Sequence, residues 1–161
     1  METSNPQDPM SVLHSVFQLG VVVEDLETVM ASMKRIYGLE PAMVVECNYP
    51  RVTYKGEDVD ARARIAKFDQ FGVVIEFIQP SGDDSMWSDA LKAAPNGALL
   101  HHIRFNDVPD NDALTDMLAA RGVSLLQEGD SVVHPNCKFT YYDTERELGF
   151  VTEVVTDVNG R

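Results

Sequence analysis

The chain has 161 residues, which suits one globular domain or two fused half-size units that share a core. Hydrophobic residues make up 44% of it and charged residues 24%, so we expect a packed core and exclude wholesale disorder. Thirteen basic and 26 acidic residues give a net charge of −13, which repels phosphate backbones and anionic lipid surfaces. We therefore expect neither nucleic acid nor a membrane as a partner.

The cysteine content and the first residues indicate the cellular compartment. Cys47 and Cys137 are far apart and lack CxxC spacing, so they predict neither a disulfide framework nor a thiolate zinc site. The opening stretch METSNPQDPM has no apolar segment of the kind that signal peptides contain. No apolar run is long enough to cross a bilayer. We expect a cytoplasmic protein.

The first half of the chain predicts one strand, one helix and three further strands. Residues 1–14 are expected to form a flexible tail, and the β-branched run 16–23 a buried strand. Asp25 caps a helix with one apolar face, and Gly38 ends it. The later strands are expected at 43–47, 61–68 and 73–78. The polar stretch 51–60 between them fits a loop or a strand extension.

After a short helix predicted over residues 85–94, the same pattern starts again. We expect a strand at 99–105 and a helix that Asp110 or Asn111 caps and Gly122 ends. Further strands are predicted at 124–127, 138–142 and 150–155, with turns at 134–136 and 147–149.

Equivalent residues recur at fixed offsets, which indicates an internal repeat. Gly38 and Gly122, which end the two helices, are 84 residues apart, and the same offset places Gln18 over His102. The segments 72–76 and 149–153 superpose at an offset of 77.

We therefore predict an α+β fold of two tandem βαβββ units, 16–80 and 98–156, joined by a helical linker at 81–97. Together they form a single domain over residues 15–157. Each unit alone leaves one sheet face bare, so the pair is expected to form a curved, partly open mixed sheet. Its sheltered concave side is a natural ligand cavity.

Four polar residues lie at related positions of this repeat. Because side chains alternate across a strand, Gln18, Glu76, His102 and Glu153 are expected on equivalent faces of four related strands. Two of them are carboxylates within otherwise apolar strands, and burying such a group is costly unless it is paired or bound to a metal. One imidazole nitrogen and three oxygens suit a divalent transition metal, namely manganese, cobalt, nickel or zinc.

These strands resemble the vicinal oxygen chelate superfamily, which includes glyoxalase I, methylmalonyl-CoA epimerase, bleomycin-binding proteins and extradiol dioxygenases. Its opening strand and helix start resemble FQLGVVVEDLE at 17–27, and its ligand-bearing strands resemble IEFIQP at 75–80, LHHIRF at 100–105 and GFVTEVV at 149–155. The resemblance covers residues 17–155. It implies metal ligands at Gln18, Glu76, His102 and Glu153, and it implies a homodimer.

The motifs favour two different enzymes of that superfamily. The paired-histidine strand and the chain length resemble methylmalonyl-CoA epimerases, which usually have histidine where this chain has Gln18. The set Gln, Glu, His, Glu resembles glyoxalase I (lactoylglutathione lyase) of the eukaryotic type. A third hypothesis, a metal-free ligand-binding or resistance protein, leaves the two buried glutamates unexplained.

The first hypothesis is an epimerase or racemase that moves an α-proton next to a carbonyl through an enolate. Glu153 and Glu76 are the candidate acid and base, and the small-molecule carbonyl substrate is an acyl-CoA or a neutral ketone such as an isoflavanone of the dihydrodaidzein type. The epimerase resemblance implies a further acid on the third strand of the first unit, where Asp60 is the nearest.

Several other polar residues have two interpretations. Arg104 and Asn106 are expected to line the cavity and orient a substrate oxygen, although an ion pair of Arg104 with a neighbouring acid fits equally. Lys67, with two nearby arginines, is expected on a solvated strand face unless it forms a basic edge for phosphates. His101 is expected to face away from His102.

Overall fold

The computed structural model of the chain describes residues 8–82 and 84–158. Within these ranges ten strands form one sheet, and four α-helices and one 3-10 helix connect or cover it. The strands are β1 (Val16–Val23), β2 (Met43–Asn48), β3 (Val52–Tyr54), β4 (Glu57–Val59), β5 (Arg62–Phe68), β6 (Val74–Pro80), β7 (Ala98–Phe105), β8 (Leu125–Asp130), β9 (Cys137–Tyr142) and β10 (Val151–Asp157). The α-helices are α1 (Leu26–Tyr37), α2 (Met86–Ala93), α3 (Asn111–Ala119) and α4 (Glu145–Leu148), and the 3-10 helix is Pro9–Ser11.

The strand order shows the internal repeat directly. It runs β2-β5-β6-β1-β7-β10-β9-β8-β3-β4. Outward from the central β1–β7 pair, the first unit therefore runs β1-β6-β5-β2 and the second runs β7-β10-β9-β8, which is the same order of equivalent strands. β1 pairs antiparallel with β7, whereas β1 with β6 and β7 with β10 are parallel. This mixed sheet with covering helices confirms the predicted α+β class, while the exact domain and unit boundaries stay a prediction.

The ambiguous segment 51–60 is a β-hairpin, and it curls the sheet. Lys55 and Gly56 at its tip have φ values of 53° and 82°, the left-handed conformations that a tight two-residue hairpin turn needs. β3 follows β2 in the chain but pairs with β8, at the opposite end of the sheet. β2 ends at Asn48 and β3 begins at Val52, and these four residue steps span at most about 14 Å. Because β2 lies at one end of the sheet and β3 next to the other, the two ends of the sheet are close together.

The helices lie on both faces of this curled sheet. On the outer face, α1 packs Leu26 and Met33 against strand residues such as Phe68. Also on the outer face, Leu114 of α3 packs in a separate cluster that includes Val154. α2 instead places its apolar residues in the largest cluster, among inward side chains of both units. The inner face therefore has apolar walls, which lower the local dielectric around any polar group there.

The N-terminal region differs from the expected flexible tail in its described part. Residues 1–7 lie outside the described residues. Asp8 caps the 3-10 helix by accepting a hydrogen bond from the Met10 amide, and Leu13 is buried beside α3. Residues 8–14 are thus attached to the domain. No helix in the described ranges has the length and apolar character needed to cross a bilayer.

Candidate metal centre and active site

The four residues singled out from the repeat all lie on the inner face of the sheet. They come from the four central strands, in the order Glu76 on β6, Gln18 on β1, His102 on β7 and Glu153 on β10. Each is at most 5% exposed. Strand alternation within two parallel pairs and one antiparallel pair is what brings these positions to one place.

The structure brings these four side chains together. His102 Nε2 lies 3.3 Å from Glu153 Oε2 and 3.8 Å from Glu76 Oε1. Gln18, Glu76 and Glu153 line one cavity. Three buried atoms in this group, Gln18 Oε1, His102 Nε2 and Glu153 Oε2, have no hydrogen-bond partner. Buried polar atoms are almost always satisfied, so their accumulation at one point indicates a missing partner.

A divalent transition metal fits this set of atoms. Two ligand atoms that are each about 2.1 Å from one ion lie about 3.0–3.5 Å from each other. The carboxylate oxygens at 3.3 Å and 3.8 Å from His102 Nε2 are close to this separation. The donors are one imidazole nitrogen, two carboxylates and an amide oxygen, a borderline-hard set. Among the described residues, no group of three or more histidine, cysteine, aspartate or glutamate side chains is arranged to hold a metal ion as it stands. Glu76 Oε1 lies farther from His102 Nε2 than Glu153 Oε2 does, and the other oxygen of Glu76 contacts Lys67.

Gly20 makes room for the imidazole of His102. The two residues are opposite each other in the β1–β7 register. A Cβ on Gly20 would lie 1.9 Å from His102 Cε1 and 2.0 Å from Nε2, which no real contact allows. The sequence FQLGVVV therefore contains a glycine because the ring of the opposite strand occupies the space of a side chain.

A β-bulge places His101 against His102, contrary to the expectation that it faces away. Gly20 pairs with His102 and Val21 with Leu100, so His101 has no partner on β1. An extra residue of this kind interrupts the alternation of side chains. His101 Nδ1 is 3.0 Å from His102 Nδ1, and the rings meet edge to face. If His102 donates its Nδ1 proton to His101, its Nε2 lone pair is free to bind a metal.

Two cations lie beside the four residues. Lys67 Nζ is 3.0 Å from Glu76 Oε2, and the lysine side chain is only 13% exposed. Lys67 therefore faces the cavity, and the expectation of a solvated strand face is wrong for this residue. Arg104 lines the same cavity, and its Nη2 donates to Asp107 at 2.8 Å. Both interpretations of Arg104, cavity lining and ion pair, hold at once.

Asn106 and Asp60 do not reach the cavity. The Asn106 amide accepts from the backbone of His14 and Ser15 and donates to Val12 and Asp107. It thus anchors the N-terminal segment rather than orienting a substrate, because it lies beyond the inner-face part of β7. Asp60 is an exposed partner of Arg62 at 3.4 Å, so it is not the further acid that the epimerase resemblance implies.

The cavity above the four residues is small and aromatic. Its volume is about 30 Å³, enough for one water molecule or one metal ion. The apolar walls include the rings of Tyr49, Trp87, Phe139 and Tyr141. Residues of the β8–β9 loop, among them Val133 and His134, also line it. A larger apolar cavity of about 340 Å³ lies outside the sheet near α3 and α4, away from the four residues.

Burial in the site disfavours the charged forms of His101, His102 and Glu153. Burial, and then the charge of Glu76, raise the pKa of Glu153 to about 8. Burial, and then Lys67 and Arg104, lower the pKa of His102 to about 3. Burial and the neighbouring His102 lower the pKa of His101 likewise to about 3. At neutral pH both imidazoles are thus neutral and Glu153 holds its proton readily.

These shifts predict a stability maximum for the metal-free protein. Between about pH 3 and 6.5 the unfolded histidines bind protons that the folded ones do not, so stability rises with pH. Between about 4.5 and 8, folded Glu153 keeps a proton that the unfolded chain has lost, so its contribution falls with pH. Above about pH 6.5 only the second effect remains, and stability falls towards pH 8.

Urea unfolding with a chelator present, at pH 6.5 and pH 8, measures this fall. Glu153→Gln has no titrating carboxyl, so its stability should be nearly constant over that interval. An equal fall in wild type and variant would show that Glu153 is not the group responsible.

A comparison with known families agrees with the arrangement of these strands. The sequence pattern of the Glyoxalase/Bleomycin resistance protein/Dioxygenase superfamily matches residues 17–141. The chain belongs to this superfamily. The match confirms the resemblance read from the strand motifs. None of the curated protein sequences compared with the chain matches it.

Several solved structures share the fold of this chain. Methylmalonyl-CoA epimerase from Mycobacterium tuberculosis is 15% identical, with 97% of this chain and 92% of that one covered and a TM-score of 0.63. A methylmalonyl-CoA epimerase in complex with methylmalonyl-CoA and NH4+ is 21% identical, with coverages of 92% and 98% and a TM-score of 0.63. A hypothetical protein from Bacillus halodurans C-125 is 13% identical, with coverages of 88% and 93% and a TM-score of 0.65.

Within this glyoxalase-superfamily fold, sequence reasoning missed two residues that shape the candidate centre. Gly20 was visible as an isolated glycine in a strand, which signals close approach of another group. Lys67 sits two positions after Ile65 in an alternating strand, so its inward direction was also readable once the strand was placed. The bulge at His101, by contrast, left no signal in the sequence.

Proposed function

We propose that the protein is a metal-dependent epimerase or racemase that removes and returns a proton on the carbon next to a carbonyl. The observation that carries this proposal is the pair of buried carboxylates near a neutral imidazole. Three buried atoms of this group are unsatisfied, and two of them belong to Gln18 and Glu153, which line one cavity. Buried acids in an apolar setting are what proton transfer from a weak carbon acid requires. The fold neighbours named as epimerases support the same reaction class.

Gln18, Glu76, His102 and Glu153 would hold the metal, and each residue has a separate task around it. When bound, a divalent ion supplies stabilisation of the negative charge that develops on the substrate's carbonyl oxygen. Glu153 is the best candidate to take the α-proton, because its carboxylate is buried in the cavity beside His102. Inversion also needs a group that returns a proton to the opposite face of the carbon, and Glu76 is the candidate for that step. Arg104 faces the cavity and orients a substrate oxygen. The surrounding aromatic rings exclude water from the reacting carbon.

The substrate is an acyl-CoA thioester or a neutral ketone. The epimerases that share the fold include one in complex with methylmalonyl-CoA, which supports a thioester. The net charge of −13 and the aromatic walls support an uncharged aromatic ketone such as an isoflavanone. A cavity of about 30 Å³ is too small for either, so the loop that contains Val133 and His134 must move when substrate enters.

Glyoxalase I is the second candidate, and Gln18 favours it. The amide oxygen of Gln18 is buried and unsatisfied, as a ligand's would be before metal binds. Together with Glu76, His102 and Glu153 it resembles the glyoxalase I ligand set. The reaction also passes through an enediolate, so the same acid and the same metal centre serve it.

Solvent deuterium uptake tests the proposed function. Metal-reconstituted protein in D₂O is incubated with chiral methylmalonyl-CoA, with chiral dihydrodaidzein, and with methylglyoxal plus glutathione, and proton NMR follows each. Deuterium at the α-carbon with loss of optical activity in one of the first two supports the epimerase. Turnover of the third alone assigns glyoxalase I. No exchange in any arm, with tight binding of one compound, points to a ligand-binding protein.

Two further properties belong to the proposal. A homodimer is supported by exposed apolar residues on the two central strands, Val16, Phe17 and Leu100, and sedimentation measures it. A cytoplasmic location is supported by two free cysteines, Cys47 and Cys137.

A further inference from the structure

Lys67 is an unusual residue for the interior of this sheet. It lies on β5, directly opposite Glu76 in the β5–β6 register, and its ammonium is 3.0 Å from Glu76 Oε2. The two side chains are 13% and 7% exposed. Nearby residues on the same face, Ile65 and Ile78, are apolar and buried. Lysines are rarely buried without a charged partner, so the pair with Glu76 is what keeps this one inside.

The repeat-related carboxylate has a different neighbour. Glu153 is opposite Tyr141 in the β9–β10 register, as Glu76 is opposite Lys67. One acid of the centre therefore has a cationic counter-ion and the other a neutral phenol. The charge of Glu76 is therefore compensated by Lys67 before any metal binds, whereas Glu153 has no cation at the corresponding position.

We propose that Lys67 is a built-in counter-ion of the metal centre, which competes with the divalent ion for Glu76 and keeps metal binding weak and reversible. The proposal rests on the metal site of the proposed function. A metal ion that binds Glu76 must share the carboxylate with an ammonium or displace it. In a low-dielectric cavity, two cations on one carboxylate repel strongly, and this repulsion opposes binding of the ion.

Removing the charge has two opposite consequences. In Lys67→Met the buried carboxylate of Glu76 loses its counter-ion, so the metal-free protein becomes less stable. The same carboxylate is then free for a metal, so the divalent ion binds more tightly and raises the melting temperature by a larger amount. Lys67→Arg keeps the charge and is expected to keep the weak affinity.

Lys138 offers a matched control on another strand pair. Its ammonium is 2.7 Å from Glu128 Oε2, and both side chains are less than a third exposed. The pair joins β9 to β8, and neither residue lines the cavity. Lys138→Met therefore removes a comparable ion pair without touching the candidate centre.

Calorimetric titration of the metal-free proteins with Co²⁺ tests the competition. Lys67→Met should bind cobalt about tenfold or more tightly than wild type. Lys67→Arg and Lys138→Met should stay within about threefold of wild type. Cobalt affinity in Lys67→Met that is equal to or weaker than that of wild type would overturn the proposal.

Two further outcomes keep this proposal separate from the proposed function. If Lys67→Met does not fold without metal, Lys67→Gln replaces it, with the same expected gain in affinity. If neither wild type nor the variant binds cobalt, manganese, nickel or zinc, the metal centre itself is wrong, and the competition falls with it. If wild type and Lys67→Met bind cobalt with equal affinity, the proposed competition by Lys67 is wrong and the metal centre remains supported.

Discussion

Gly20→Ala is expected to abolish metal binding at the candidate centre and to destabilise the protein. The new methyl group would lie 1.9 Å from the His102 ring, which is fully buried and held in edge contact with Tyr141 and His101. The ring has no free space, so either the strands separate or His102 leaves its position. Overpacking of this kind costs about 1–3 kcal/mol, and more where nothing can yield. Urea unfolding and cobalt titration measure the two effects.

Gly82→Ala is the control for this substitution. A Cβ at Gly82 would come no closer than 3.1 Å to the nearest atom, the carbonyl oxygen of Asp60. This variant should keep metal affinity at the wild-type value and lose little stability. If Gly20→Ala bound cobalt as wild type does, the position of the His102 ring described above would be wrong.

Glu153→Gln is expected to lower the rate of α-proton exchange by about 10²- to 10⁴-fold. Glutamine has nearly the same shape and keeps an oxygen that can face a metal, but it cannot accept the proton. The rate of deuterium uptake into the active substrate, measured at saturating metal, gives the effect on proton transfer apart from the effect on metal binding. Because the loss is in the transfer step, kcat should fall much more than KM changes.

Glu128→Gln is the matched variant for Glu153→Gln. Glu128 pairs with Lys138 on the β8–β9 pair and is outside the cavity, so exchange should continue at the wild-type rate. Exchange in Glu153→Gln that persists at the wild-type rate would assign the proton transfer to another group, with Glu76 the first to examine.

The repeat is the reason that much of the candidate centre was predictable. The offsets that relate Gln18 to His102 and Glu76 to Glu153 place each pair on equivalent strands. Period-two alternation then decides the face on which each side chain lies. Both rules apply without knowing which strands pair, and the structure brings all four residues together.

The rest depended on pairings that a single sequence does not contain. The hairpin of β3 and β4 reads as polar and ambiguous, because its strands are only three residues long and β3 pairs with β8 of the other unit. The bulge at His101 arises from the register between β1 and β7, which no local pattern specifies. Arg104 was readable as inward-facing, whereas Asn106, two residues on, binds the N-terminal segment beyond the inner face.

The metal content of the purified protein tests the central claim most directly. Elemental mass spectrometry is applied to native protein, to protein reconstituted with manganese, cobalt, nickel or zinc, and to the reconstituted His102→Ala variant. We expect about one equivalent of a divalent transition metal per chain in the reconstituted protein, and its loss in the reconstituted His102→Ala variant. No metal in the native and reconstituted protein, or undiminished metal in the variant, would contradict a centre built on Gln18, Glu76, His102 and Glu153.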